Sequence, residues 1–149
     1  MKSNALTSIP VQVTFSQQNE LAENITDSSS EYNNVRSILV EVQQGLENFY
    51  KTGNKKIIDL GSIPLAPFEK VKLLELLGRG EVFIHLSALG ESEIYETLFA
   101  CVWIVKHHDE QGEVSALLIE ISEIPDIILS QKGDIAVQTN ELKELINKL

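Results

Sequence analysis

The chain changes its hydrophobic rhythm three times. At the start, Val11-Gln12-Val13-Thr14-Phe15 alternates as a short strand does. The stretch QQNELAENITDSSSE that follows is too polar to form a core, and residues 1–31 are expected to be a flexible arm or linker. From Tyr32 the period becomes helical: Val35, Ile38, Leu39, Val42, Leu46 and Phe49 recur at steps of three and four and share one face. Gly53 and Asn54 tolerate the left-handed backbone of a helix end. Lys56 to Leu60 predicts a short strand, and Pro67 suits the first turn of a second helix. Its expected inward stripe is Phe68, Val71, Leu74 and Leu77, with Glu69, Lys70, Lys72 and Glu75 outward.

Gly78-Arg79-Gly80 ends that helix, and strands follow. Val82, Ile84 and Leu86 share a face, Leu89 to Ser92 supplies a turn, Glu93 to Phe99 alternates, and Ala100 to Lys106 is almost continuously apolar. His107 to Gly112 reads as a polar turn and Glu113 to Ile121 as a long strand. Short turns between successive strands favour antiparallel pairing. Pro125 is expected to open a short helix over Asp126 to Ser130, halted at Gly133, and a last amphipathic segment carries Leu142, Leu145, Ile146 and Leu149 on one side. The order predicts a single α+β domain over residues 32–149, a two-layer fold with a mostly antiparallel sheet packed against helices.

At 149 residues the chain suits one domain. Twelve Lys and Arg against 22 Asp and Glu give a net charge of −10, which disfavours nucleic acid or an anionic membrane surface as a partner. No apolar run approaches the ~18 residues of a membrane span, and the N-terminus lacks a signal-like apolar region, so no membrane insertion and a cytoplasmic location are expected. With Cys101 alone, no intramolecular disulfide and no cysteine-rich cluster site can form within one chain.

Catalytic constellations are sparse. His85 lies opposite the Val82-Ile84-Leu86 face, beside Glu81 and Phe83, and suits a half-exposed sheet histidine better than a general base. Adjacent His107 and His108 diverge on a strand, which argues against a shared metal. Cys101, read inside an apolar strand without an activator, is an inert thiol. Gly78-Arg79-Gly80 follows a helix and precedes a strand, the wrong direction for a phosphate loop. The acidic groups from Glu91 to Asp126 lack calcium-loop spacing and fit solvated strand ends. Trp103 fits a core position, with an interface anchor as the alternative. Neither a cofactor nor a metal is called for.

Several short strings in a fixed order carry a resemblance: Ile58-Asp59-Leu60 with Ile63-Pro64-Leu65, then Leu77-Gly78-Arg79-Gly80-Glu81-Val82, then Gly90-Glu91-Ser92-Glu93-Ile94. Glu96-Thr97 leading to Val102-Trp103-Ile104-Val105 comes next, and Ile119-Glu120-Ile121-Ser122-Glu123-Ile124-Pro125 last. From about Asn34 to Ile135 the sequence resembles the HupH/HyaF-type hydrogenase expression/formation proteins, auxiliary proteins of uptake nickel–iron hydrogenases. The resemblance implies a non-catalytic chaperone or assembly factor acting in the cytoplasm. Its expected partners are the immature iron–sulfur small subunit or other maturation proteins. Longer members resemble two related modules in tandem. A single module could restore that arrangement as a two-fold homodimer. The matching strings make Glu93, Glu96, Trp103, Glu120 and Pro125 the candidate partner-binding residues. Two other classes stay open: a small enzyme using His85 with Glu81 or Glu96, and a regulatory interaction module whose N-terminal arm orders on binding.

Overall fold

The stripe beginning at Val35 forms helix α1 (Asn33–Thr52), whose buried positions are Val35, Ile38, Val42 and Gly45. The structure, a computed structural model, describes residues 32–88 and 90–149. The expected arm at 1–31, its Val11–Phe15 strand, and Leu89 lie outside those residues. Helix α1 ends where Gly53 takes φ 74° and donates its N–H to the Phe49 carbonyl. Strand β1 (Lys56–Asp59) follows, then helix α2 (Pro67–Leu77), with proline in its first turn.

Helix α2 is rotated from the expected stripe. Its buried residues are Glu69, Leu73 and Leu77, while Phe68 is 49% and Val71 58% exposed. Glu69, expected to face solvent, is 4% exposed because its carboxylate is the helix cap: Oε2 accepts the Ala66 N–H at 2.9 Å and an amide hydrogen of Asn34 at 3.4 Å. The cap fixes the rotation, and the 69-73-77 row follows it inward.

Strands β2 (Phe83–Ala88), β3 (Gly90–Glu96), β4 (Val102–His108) and β5 (Val114–Ile121) form an antiparallel meander, and β1 pairs antiparallel with β5. The sheet order is β1-β5-β4-β3-β2. This is the α+β fold with the mostly antiparallel sheet that the sequence predicts. Three boundaries move. Gly90 to Ser92 already belong to β3, Ala100 and Cys101 precede β4, and His107 and His108 end β4 instead of forming the turn.

Residues directly opposite one another share a face. One face carries Ile58, Tyr95, Val102, Ile104, Ile119 and Ile121, and helix α1 approaches it so closely that a methyl added at Gly45 would lie 2.4 Å from Ile121 Cδ1. Arg79, just past α2, stacks over the Tyr95 ring at 4.4 Å on that side. The other face carries Ile84, Ile94, Trp103, Val105 and Leu118. It is covered in part by Ile128 from the short 3₁₀ turn Asp126–Ile128, capped by Pro125. That turn is shorter than the helix expected there, and Gly133 does not halt anything: it lies in the first turn of helix α3 (Lys132–Ile146), which contributes no buried residue. Among the described residues, no helix is long and apolar enough to cross a membrane.

The join between α2 and β2 yields a stability prediction. Gly80 donates its N–H to the Glu96 carbonyl at 2.7 Å, and a Cβ there would sit 2.6 Å from the Thr97 carbonyl oxygen. Backbone cannot yield as a flexible side chain can, so Gly80→Ala is expected to cost about 2–3 kcal/mol. Gly112→Ala, at φ 83° with open space around it, should cost only about 1 kcal/mol through the left-handed conformation. Urea midpoints of the two variants check the order. A Gly112 variant less stable than the Gly80 variant would contradict it.

Candidate functional site

Four of the five sequence candidates meet at one end of the sheet. Glu96, Trp103 and Glu120 stand in register across β3, β4 and β5 on one face. Trp103 is 5% exposed, and its indole N–H donates to the Ser122 carbonyl at 3.0 Å. Glu120 Oε1 accepts the Ser122 hydroxyl at 3.0 Å and the Asp126 N–H at 3.2 Å. Pro125 is fully buried between them in sequence. Trp103, Glu120 and Pro125 therefore brace residues 122–129 as they fold back over the sheet. They position a surface instead of forming it.

Glu96 braces the turn before β4. Its Oε1 accepts the Cys101 N–H at 3.2 Å, Thr97 Oγ1 accepts the Phe99 N–H at 3.1 Å, and the Thr97 N–H donates to the Val102 carbonyl at 2.9 Å. Cys101 sits in this turn at φ 65°, half-buried, and not within a strand as expected. Burial, and then the carboxylates of Glu96 and Glu123, push its thiol pKa up. At neutral pH it is held as the protonated, weakly nucleophilic thiol.

These braces present an apolar groove. Two clefts, of about 280 and 480 Å³, run along the end of α1 and share Phe49, Gly53 and Glu123 as lining. Lys55, Ile124 and Leu129 complete the first; Leu46, Tyr50, Ala100 and Cys101 complete the second. Tyr50 is 91% exposed, and Leu98, Phe99 and Ile127 are exposed on the same two connecting segments. These exposed apolar groups sit on segments held by the hydrogen bonds beneath them. Glu123 and the Lys55–Asp126 ion pair give the groove a charged edge with an acidic excess. The hydrogen bond to Asp126 raises the pKa of the Lys55 ammonium.

Glu93 lies elsewhere, on the opposite sheet face. It pairs with Lys106 at 3.4 Å and faces His108 Nε2 at 3.7 Å beside a polar cleft that includes Glu91, Asp109 and Glu110. His85 Nε2 is 3.5 Å from Glu91, a half-exposed cross-strand pair, so its carboxylate neighbour is neither Glu81 nor Glu96. His107 and His108 diverge: Nδ1 of His107 meets Ser92 Oγ at 2.8 Å on one face, and His108 turns towards Glu93 on the other. Among the described residues, no three His, Cys, Asp or Glu side chains are grouped to hold a metal ion.

The groove was not singled out from sequence. Phe49 falls on the expected inward stripe of α1, and Tyr50 falls off it. The usable signal was the apolar content of connecting segments, Leu98-Phe99 and Ile124 to Leu129, where turns are ordinarily polar.

Comparison with known proteins places the chain in a family. Residues 32–149 match the family described as HupH hydrogenase expression protein, C-terminal conserved region. The hydrogenase expression/formation protein HoxQ of Cupriavidus necator is 24% identical over 113 residues, covering 76% of this chain and 40% of HoxQ. The chain thus spans less than half the length of that relative. The solved structure of the hydrogenase expression protein HupH from Thiobacillus denitrificans matches with a TM-score of 0.76 and 33% identity, over 78% of this chain and 97% of that one.

Proposed function

The chain belongs to the HupH hydrogenase expression protein family, and from that premise we propose that it is a non-catalytic accessory protein for hydrogenase maturation. Its client is the immature iron–sulfur small subunit of an uptake nickel–iron hydrogenase, held in the cytoplasm before assembly and export. The observation that carries the reading is the braced groove formed by α1, the β3–β4 turn and residues 122–129. Burial of Tyr50, Ile124 and Leu129 against an apolar segment of the client supplies affinity. The acidic edge, on a chain of net charge −10, steers basic clients and speeds their encounter. Glu96, Trp103, Glu120 and Pro125 act by holding the groove in shape, and Glu93 has no part in it.

The test is capture in the cell. The tagged chain, purified anaerobically at low salt from a host expressing the hydrogenase, is expected to bring down the small-subunit precursor, identified by mass spectrometry. The band should vanish when that subunit is deleted. Clean recovery of the tagged chain alone, with both proteins expressed, would overturn the reading and turn attention to the His85–Glu91 pair.

A further inference from the structure

Among the described residues, helix α3 gives none to the core and leaves an apolar stripe exposed. Ile135, Leu142, Leu145 and Ile146 are each more than half exposed, and spacings of seven, ten and eleven residues put them in one stripe. A 15-residue helix is about 22 Å long and marginal in water unless its stripe is covered. The occupant must suit the charges beside that stripe.

The charges of this segment differ from those of the rest of the chain. From residue 132 onward, Lys132, Lys143 and Lys148 balance Asp134, Glu141 and Glu144. The whole net charge of −10 therefore resides on residues 1–131. Two copies meeting through any other part of the molecule bring acidic surfaces together. Meeting through α3 joins the electrically balanced parts.

We infer that α3 pairs with α3 of a second copy, antiparallel, about a two-fold axis near Asn140. In that register Ile135 lies against Leu145 of the second copy, and Leu142 against its Gln138. On one flank Asp134 comes within a helical turn of Lys148 of the second copy, the symmetry repeats the pair at the other end, and Glu141 faces Glu141 of the second copy between them. Lys148 keeps the helical phase because Asn147 is still helical and donates to the Lys143 carbonyl. A parallel arrangement loses both ion pairs, since Asp134 then lies beside uncharged Thr139. It also sets the two acidic bodies side by side, whereas the antiparallel one holds them about a helix length apart. One short helix from each copy makes an interface at the small end of specific contacts, which corresponds to micromolar dissociation. This interface is separate from the client groove, and its failure would leave that proposal intact.

Sedimentation equilibrium of the full chain from about 1 to 200 µM should show a monomer–dimer equilibrium approaching twice 16.6 kDa. Leu142→Glu should weaken association by at least about 30-fold, the loss of one buried anchor. Because α3 holds no buried residue, that variant should keep the wild-type melting transition of the sheet. Orientation is read by cross-linking in a Cys101→Ser background. A mixture of the Ile135→Cys and Leu145→Cys chains should form the mixed disulfide, and Ile135→Cys alone should not cross-link to itself. A monomer at every concentration, a dimer indifferent to Leu142→Glu, or self-cross-linking of Ile135→Cys would each overturn the assignment.

Discussion

Trp103→Ala is expected to lower folding stability by about 3–5 kcal/mol, the range for truncating a large buried aromatic. Trp103 belongs to a cluster with Ile94 and Val105, against which Ile84, Leu86, Leu118 and Ile128 pack. Truncation opens a cavity there and also orphans the Ser122 carbonyl that the indole N–H now satisfies. The damage should spread to residues 122–129, because Ile128 loses the surface it covers. Trp103→Phe separates the two losses: it keeps most of the volume, gives up the hydrogen bond, and should cost about 1–2 kcal/mol. Urea denaturation followed by circular dichroism measures both variants, since Trp103 is the chain's sole tryptophan and cannot serve as a common fluorescence probe. A Trp103→Ala variant within 1 kcal/mol of wild type would contradict the brace.

Tyr50→Asp combined with Ile124→Asp is expected to weaken client binding by about 100-fold or more while leaving the melting transition almost unmoved. Two truncated hot-spot anchors commonly cost more than about 2 kcal/mol each, and the introduced carboxylates oppose burial further. Tyr50 is almost fully and Ile124 about half exposed, so the free protein loses little; surface changes of this kind stay within about 0.5 kcal/mol. The contrast with Trp103→Ala is the useful part. Loss of binding in the alanine variant follows from a damaged support, but loss in a variant that melts normally locates the contact.

How much of this was legible in the sequence depended on how local each determinant is. The β2–β5 meander declared itself through alternation and short turns, because each pairing joins neighbours in the chain. The pairing of β1 with β5 spans about 60 residues, and no local pattern encodes it. Helix α2 offered two competing stripes, 68-71-74 and 69-73-77, and apolar spacing favoured the wrong one. Glu69 three residues after Ala66 was the available clue, since a carboxylate at that position of a helix start reaches back to the free N–H. Gly133 misled in the opposite sense: it is the second residue of a helix that begins at Lys132, so it is no stop signal.

The candidate site was legible in its supports and not in its surface. Trp103, Glu120 and Pro125 stood out because residues that hold a non-repetitive segment are chemically distinctive. Once folded, they are turned inward, bonded to Ser122 and Asp126. The groove draws Phe49 and Tyr50 from α1, Ala100 from the β3–β4 turn, and Ile124 and Leu129 from after β5. Five ordinary residues from three separate segments acquire meaning only through tertiary proximity.

The most direct test of the account is the affinity of the purified small-subunit precursor for the wild-type chain and for the Tyr50→Asp/Ile124→Asp variant, measured anaerobically by titration calorimetry. Wild type should bind saturably, and more weakly as salt rises, because the acidic edge contributes to encounter. The variant, with an unchanged melting transition, should bind about 100-fold more weakly or not at all. Equal affinities for the two proteins would show that the client is held somewhere other than this groove.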